Sequence, residues 1–244
     1  MEDRSAFVRW GFRLALLSAV IAILAVLGLR LGVMPLGVAL FAGLGGGALL
    51  GVIAIVLSII GLIITYRSNL SGKGIAFAAI FLSLAVVAPI ANAVRGGSSV
   101  PPIHDISTDL TDPPGFVAVL AQRTPMHNSL DRSQPEDLGE VQRAAYPDLV
   151  PIMLDRHPGQ AFEDALAAVQ GMGWEIVSVA VEEGRIEATD TTALMGFQDD
   201  IVIRVREEQG KALIDIRSAS RVGESDLGKN AARIRALREQ IIAD

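Results

Sequence analysis

Hydrophobic residues fill the first part of the chain almost without interruption and alternate with polar residues over the rest. Between Leu14 and Val94 only Arg30, Arg67 and Lys73 are charged. The uncharged stretches between them are each long enough for a helix to cross the hydrocarbon layer of a membrane. The pattern predicts a membrane region over residues 1–95, with transmembrane helices at about 14–30, 38–65 and 75–94.

Positive charge is distributed unevenly around these stretches. Arg4, Arg9 and Arg13 precede the first one, and Arg67 and Lys73 lie between the second and the third. Basic residues collect on the cytoplasmic side of membrane proteins. We therefore expect a bacterial inner (plasma) membrane protein with its N-terminus in the cytoplasm and the part after residue 95 in the periplasm.

The first stretch also begins as a signal peptide does, with a basic segment before an apolar run. No small-residue cleavage site followed by polar sequence separates it from the next apolar run, which favours a retained helix. The predicted spans contain no acidic residue, and this argues against an ion or proton transporter.

Glycines recur every fourth residue in the second stretch, at Gly43, Gly47 and Gly51. This spacing places a smooth strip on one helix face, where another helix can approach closely. The strip would serve packing within the chain or between copies in a homo-oligomer. The alternative is that glycine is simply common in membrane helices.

Alternating hydrophobic and polar positions after residue 149 predict strands and two amphipathic helices. The predicted elements are a short edge strand within 149–154, a helix at 160–170, hairpins formed by 174–181 with 185–192 and by 200–206 with 212–220, and a last helix capped by Ser225 or Asp226. Sequential hairpins favour an antiparallel sheet covered by helices on one face. We expect residues 149–244 to form a two-layer α+β domain.

The segment between these regions, residues 96–148, is rich in proline. Nine of the eleven prolines lie between Pro101 and Pro158. Proline cannot continue a helix, so the segment is expected to run extended as a connector, with room to lie across the domain that follows.

Charge and composition exclude several functions. Residues 1–100 carry seven Lys/Arg against two Asp/Glu, and residues 101–244 carry fourteen against twenty-five, which gives net charges of +5 and −11. An acidic domain is repelled by nucleic-acid phosphate. Cysteine is absent, and His104, His127 and His157 lie far apart, so the sequence predicts no disulfide and no metal site. It also lacks a phosphate loop and a dinucleotide-binding fingerprint, so we expect no cofactor.

Alternate residues of the predicted strands form a polar face of the sheet. It carries Arg185 and Glu187 from one strand, and Asp215, Arg217 and Arg221 from another. The simpler interpretation, which we favour, is a solvated face with cross-strand ion pairs. The alternative is a recognition face whose arginines, with Arg204, bind an anionic ligand or a partner's carboxylate.

A second polar segment, HDISTD at 104–109, precedes the domain. If His104 folds back, it could act with Asp105 and Asp226 as the general acid and base of a hydrolase for an envelope component. Ser225 lacks the glycine spacing of a nucleophile elbow and is better explained as a helix cap. The candidate ligand- or partner-binding residues are His104, Asp105, Asp109, Arg185, Glu187, Asp215, Arg217, Arg221, Asp226, Asn230 and Arg233.

Ordered short motifs run through this region: HDISTD at 104–109, GW at 173–174, GRIEAT at 184–189, GFQDD at 196–200, DIRS at 215–218, SRVG at 220–223, SDLG at 225–228 and NAARI at 230–234. In these motifs residues 103–240 resemble the domain-of-unknown-function 1499 family. The resemblance implies membrane spans before the domain, and it carries over no catalytic residue. We expect a membrane protein with a binding or scaffold domain, in a membrane complex, rather than an enzyme.

Overall fold

The chain folds into two compact units, as seen in a computed structural model that describes residues 4–133 and 136–243. The first unit contains the residues up to Arg95 together with Leu194–Gly196. The second contains Gly96–Ala193 and the residues from Phe197 onward.

Three long apolar helices form the first unit. They are α1 (Ala6–Arg30), a second helix that begins as a widened π-helical segment (Val38–Gly45) and continues as α2 (Gly46–Arg67), and α3 (Lys73–Gly97). Their hydropathies of 2.5, 2.9 and 2.4 and their lengths suit membrane crossing, which confirms the three predicted spans. α1 starts earlier than predicted because the Ser5 hydroxyl accepts a hydrogen bond from Phe7 N–H and caps the helix.

The glycine strip lies against other helices of the same chain. Ser18 Oγ donates a hydrogen bond to the carbonyl oxygen of Gly47 at 2.7 Å. Gly43 lies so close to Ala25 that a Cβ has no room, and a Cβ on Gly51 would lie 3.1 Å from Ser18 Oγ. The strip therefore serves packing between helices within the chain.

Alanine at Gly43 is expected to lower the unfolding temperature of the chain in detergent, because its methyl group would overlap Ala25. Overpacking of this kind costs about 1–3 kcal/mol. Gly46→Ala is the matched control, since a methyl group there would meet nothing within 4 Å. Equal unfolding temperatures for the two variants would contradict close helix packing at Gly43.

An antiparallel sheet of six strands forms the centre of the second unit. The strands are β1 (Asp105–Ser107), β2 (Ile152–Leu154), β3 (Glu175–Ala180), β4 (Arg185–Thr191), β5 (Gln198–Glu208) and β6 (Lys211–Ser220). Their order is β1-β6-β5-β4-β3, and β2 also pairs with β6. β1 and β2 both use the outer edge of β6, so the short apolar run that contains Pro151 forms an edge strand.

Both predicted hairpins are present, β3 with β4 and β5 with β6. Gly184 ends the turn before β4 with φ of 59°, and its Cα lies so close to the carbonyl oxygen of Val205 that only glycine fits. The second hairpin is longer than predicted because the cross-strand pairing continues as far as Glu208 and Lys211.

Helices cover one face of this sheet. They are α4 (Leu138–Ala145), α5 (Pro158–Gly171) and α6 (Lys229–Ala243). Ile186, Ile203 and Ile216 are neighbours on adjacent strands and share one core with Phe162 of α5 and Leu237 of α6. The predicted fold class, three membrane helices followed by an α+β domain with an antiparallel sheet, is confirmed; α4 and β1 are additions.

The proline-rich segment that was expected to be a connector contributes directly to the second unit. It supplies β1 and α4, and residues 109–132, which we call the strap, cross the sheet face that α5 and α6 leave uncovered. Phe116 and Val119 of the strap pack against Val202 and Ala219 of the sheet and form a second, smaller core. The sheet is therefore covered on both faces, by helices on one and by the strap on the other.

Candidate functional site

The polar face of the sheet is formed by alternate residues of β4, β5 and β6. Strand register places three rows across it, namely Arg185, Arg204 and Asp215, then Glu187, Val202 and Arg217, then Thr189, Asp200 and Ala219. Side chains directly opposite or diagonal to one another on a sheet face are close enough to pair. The register of the strands alone therefore brings side chains of opposite charge next to one another, without help from any other part of the chain.

Arg217 lies at the centre of a buried ion cluster. Its Nε and Nη2 donate to the two carboxylate oxygens of Asp105 at 3.0 and 2.7 Å. Its remaining N–H groups donate to the carbonyl oxygens of Pro114 and Leu130 in the strap at 3.2 and 2.6 Å. Arg132 donates to Asp105 at 2.6 Å, and burial lowers the pKa of Arg132. The cluster joins β6, β1 and both halves of the strap.

Arg221 holds a second ion cluster at the end of β6. Its Nε and Nη2 donate to Asp200 Oδ1 at 3.1 and 2.7 Å, and Arg123 of the strap donates to Asp200 Oδ2 at 2.6 Å. Arg221 also donates to the side-chain oxygens of Gln198 and Gln122, both at 2.9 Å. Burial lowers the pKa of Arg123, although Asp200 opposes that effect.

Glu187 fastens the strap through backbone groups. Its Oε1 accepts hydrogen bonds from the N–H groups of Val117 and Ala118, and its Oε2 accepts one from Val119, each at 3.0 Å. These residues begin the 3-10 helical turn Ala118–Gln122, whose first N–H groups have no partner within the turn. The buried carboxylate therefore caps a turn in the strap from the sheet below.

The third cluster lies around Asp215 at the other end of the face. Arg204 and Arg206 donate to its Oδ2 at 2.8 and 3.1 Å. Their other N–H groups donate to Asp112 at 2.9 Å and to Asp109 at 3.1 Å in the strap. Asp215 Oδ1 is buried and accepts no hydrogen bond. Asp109 is thus a strap residue paired with the sheet.

The expectation of a solvated polar face is wrong. Glu187, Asp200 and Asp215 are fully buried, and Arg217 and Arg221 are almost fully buried. The physical reason is the strap, which supplies N–H groups, carbonyl oxygens and charges of the right sign to every row. Water is replaced by protein groups, so the face is an interior layer.

The remaining candidates lie on the opposite face, beneath α6. Arg233 donates to Asp190 at 2.7 Å, to Asp199 at 2.6 Å and to the Asn230 side-chain oxygen at 2.6 Å. Ser218 donates to the same Asn230 oxygen at 2.6 Å. The candidate residues, treated as one cluster at the sequence level, thus form two groups separated by the sheet.

His104 does not meet the carboxylates that a hydrolase would need. Its Nδ1 lies 3.3 Å from the backbone carbonyl oxygen of Glu224. Asp105 pairs with Arg217 on the strap side, and Asp226 accepts hydrogen bonds from Gly228 and Asn230 N–H at 2.8 Å as the cap of α6. The convergence of His104, Asp105 and Asp226 is therefore not present.

The other two histidines serve local turns. His127 Nδ1 accepts a hydrogen bond from Thr124 N–H at 3.2 Å, and His157 Nδ1 accepts one from Gly159 N–H at 3.1 Å. Within residues 4–133 and 136–243, no three histidine or carboxylate side chains lie in positions suited to one metal ion.

Sequence reasoning missed the partners of the candidate residues, chiefly Asp200, Arg123 and Arg132. Asp200 lies at an alternate position of β5 beside Thr189, so strand periodicity could have placed it on the polar face. Arg123 and Arg132 could not be placed in this way, because the strap is not a strand and its polar residues do not alternate regularly.

Two aspartates should respond to pH in opposite directions. Burial raises the pKa of Asp226, whereas hydrogen bonds from Arg235 lower the pKa of Asp148. The wild-type protein is therefore expected to lose stability, relative to Asp226→Asn, as pH rises through the raised pKa of Asp226. Relative to Asp148→Asn, the wild-type protein is expected to lose stability as pH falls through the lowered pKa of Asp148.

Thermal unfolding of wild type, Asp226→Asn and Asp148→Asn between acid and neutral pH measures both effects. The unfolding temperature of Asp226→Asn, relative to wild type, should rise with pH, and that of Asp148→Asn should fall. Parallel curves for both variants would contradict the two assigned environments.

Fold and geometry together define a class of protein: apolar helices long enough to span a membrane, joined to an α+β domain whose buried arginines are paired with carboxylates of the same domain. Residues 105–241, more than half of the chain, match the family model described as protein of unknown function, DUF1499. The chain belongs to this family, as its motifs suggested. A comparison with curated proteins finds no match.

Proposed function

We propose that this chain is an inner-membrane protein that presents its α+β domain outside the cytoplasm as a binding or scaffold module. The residues up to 95 are the anchor in this proposal. Residues 149–244, together with the strap and β1 from the proline-rich segment, are the module. Its partners are other subunits of a membrane complex.

One observation carries the choice of a binding module over an enzyme. The buried charged side chains of the sheet face, which could otherwise supply acid, base or anion-binding groups, are paired with other groups of the same chain, as in the pairs Arg217–Asp105 and Arg221–Asp200. Catalytic groups need free access to a substrate atom. In this proposal the exposed surface of the domain is therefore what binds a partner.

The orientation rests on charge bias. Arg4, Arg9, Arg13, Arg67 and Lys73 flank the spans on one side, as cytoplasmic flanks do. Because the number of candidate spans is odd, we propose that the module lies on the other side of the membrane.

Reporter fusions test the orientation. Alkaline phosphatase, which is active only outside the cytoplasm, is expected to be active when fused after the α+β domain and inactive when fused after Ser68. A fluorescent protein that folds only in the cytoplasm should give the reverse pattern. Phosphatase activity confined to the Ser68 fusion would refute the proposed side.

Affinity purification of the full chain from mild detergent, with mass spectrometry, tests complex membership. We expect membrane proteins to co-purify in fixed ratio, and to be lost when the second unit is deleted. A chain that purifies without any protein in fixed ratio would refute membership of a stable complex.

A further inference from the structure

One edge of the six-stranded sheet is open. β1 and β2 both pair with the outer edge of β6, whereas β3, at the other end of the strand order, pairs only with β4 among the described residues. Unpaired edge strands present backbone N–H and C=O groups to any further strand, and proteins commonly block them with lysine or proline. Residues 172–184, which contain β3, have no Lys, Arg or Pro. The strand has one bulge, between Ile176 and Ser178, and its pairing is regular from there to Ala180.

The backbone groups of Val179 point outward from this edge. Val205 N–H of β5 donates to the carbonyl oxygen of Gly184, so even-numbered residues of β4 bond to β5 and odd-numbered ones bond to β3. Ser178 and Ala180 are opposite odd-numbered residues of β4, and they therefore use their backbone groups on that strand. Val179 lies between them and directs its N–H and C=O away from the sheet.

Apolar side chains accompany the open edge on both faces of the sheet. Val179 is opposite Ile186 on the helix-covered face and is 41% exposed. On the other face Val177 packs on the smaller core, and the strap turn Ala118–Gln122 lies against β3. Leu120 of this turn is 51% exposed. An added strand would therefore bury apolar surface as well as form backbone hydrogen bonds.

Both ends of the edge are acidic. Glu175 begins β3, Glu182 and Glu183 follow it, and all three are exposed. Glu183 pairs with Arg185, which still leaves the two ends negative. Two copies of β3 related by a two-fold axis would run antiparallel and bring Glu175 of each copy close to Glu182 or Glu183 of the other. Like charges on facing strands destabilise such pairing, so the edge favours a basic partner over a second copy.

A cleft of about 310 Å³ opens beside the turn that follows β3. Its lining includes the apolar side chains of Phe162 and Val181 and the carboxylates of Glu163, Glu182 and Glu207. Arg206 also lines the cleft, but its guanidinium is paired with Asp109 and Asp215. A lysine side chain combines an apolar stem with a cationic end, which matches this combination of lining groups.

We propose that β3 is the partner-binding edge of the α+β domain, and that it accepts by strand addition an extended segment whose alternating apolar residues are flanked by lysine or arginine. The inference rests on the binding-module function and names the surface and the kind of partner that this function needs. Backbone hydrogen bonds to Val179 supply affinity, and the glutamates at the two ends select the partner's sequence.

Two synthetic peptides probe the edge: one of alternating valine and threonine with lysines at both ends, and the same peptide with glutamates in place of the lysines. Fluorescence anisotropy measures the binding of each labelled peptide to the full chain in mild detergent. Val179→Pro removes the outward N–H and places a ring where the added strand would lie, while no hydrogen bond to β4 is lost. Val179→Thr is the matched control, since it keeps the N–H and a branched side chain.

The lysine peptide is expected to bind Val179→Pro about tenfold more weakly than Val179→Thr, as for the loss of about one hydrogen bond. Glu175→Lys combined with Glu182→Lys should reverse the preference between the two peptides. Glu140→Lys combined with Glu224→Lys makes the same change in net charge close to β1, at the other edge of the sheet. This control should leave the preference for the lysine peptide unchanged.

Equal binding of the lysine peptide by Val179→Pro and Val179→Thr would overturn the proposal, as would no measurable binding by wild type. A wild-type dimer that Val179→Pro converts to a monomer would also overturn it, because a second copy would then occupy the edge. Partners that co-purify equally with wild type and Val179→Pro would refute the edge but leave the binding-module function intact. If no partner co-purifies with wild type, membership of a complex fails, and the peptide measurements still decide whether β3 accepts a basic strand.

Discussion

Arg217→Met is expected to destabilise the second unit by about 3–5 kcal/mol, as breaking a buried ion pair does. The change removes both hydrogen bonds to Asp105 and leaves the carbonyl oxygens of Pro114 and Leu130 without their donor. Urea unfolding of the full chain in detergent measures it, with Trp174 as the reporter in a Trp10→Phe background. Trp174 packs against the core of the second unit.

Lys211→Met is the matched control, because Lys211 pairs with Asp155 at 3.6 Å and both side chains are exposed. Pairs of this kind contribute roughly 0–1 kcal/mol. Adding Asp105→Asn to Arg217→Met should cost less than the sum of the single changes, since each removes the other's partner. If Arg217→Met costs no more than Lys211→Met, the polar face is not an interior layer and the recognition hypothesis for it returns.

The hydrophobic pattern was sufficient to predict the elements but not what covers them. Ile186, Ile203 and Ile216 alternate with charged residues, so the strands and their two faces follow from period two. The same alternation cannot tell water from protein on the polar side. Phe116 and Val119, spaced by three within a proline-rich segment, were the available sign that this segment packs on the sheet.

The division of the candidate site also depends on contacts that are distant in sequence. Asp215, Arg217 and Arg221 share a face by strand period, whereas Asn230 and Arg233 belong to a helix whose position relative to the sheet is set by the whole fold. The two sets were predicted to form one site because they are close in sequence, but in the structure they lie on opposite faces of the sheet. Asp226 was predicted correctly as a possible cap because capping is a local effect.

Glu187→Gln is expected to release the strap while the rest of the second unit stays folded. Both carboxylate oxygens accept backbone N–H groups, whereas a glutamine amide would turn its own N–H₂ group toward one of them. Losing a charged hydrogen bond costs about 1.5–3 kcal/mol, which corresponds to roughly tenfold to hundredfold faster opening. Hydrogen exchange followed by mass spectrometry should show this acceleration at Val117 and Val119.

Glu183→Gln is the matched control, because Glu183 also pairs with Arg185 but is exposed and accepts no hydrogen bond from the strap. It tests whether loss of a negative charge near Arg185 is enough to change the strap. It should leave strap exchange unchanged. In Glu187→Gln, exchange in α5 and β5 should stay slow if the strap opens by itself. Strap and core exchange accelerated by the same factor would mean that the strap unfolds only with the whole unit, so that Arg217 and Arg221 are never uncovered in the folded protein.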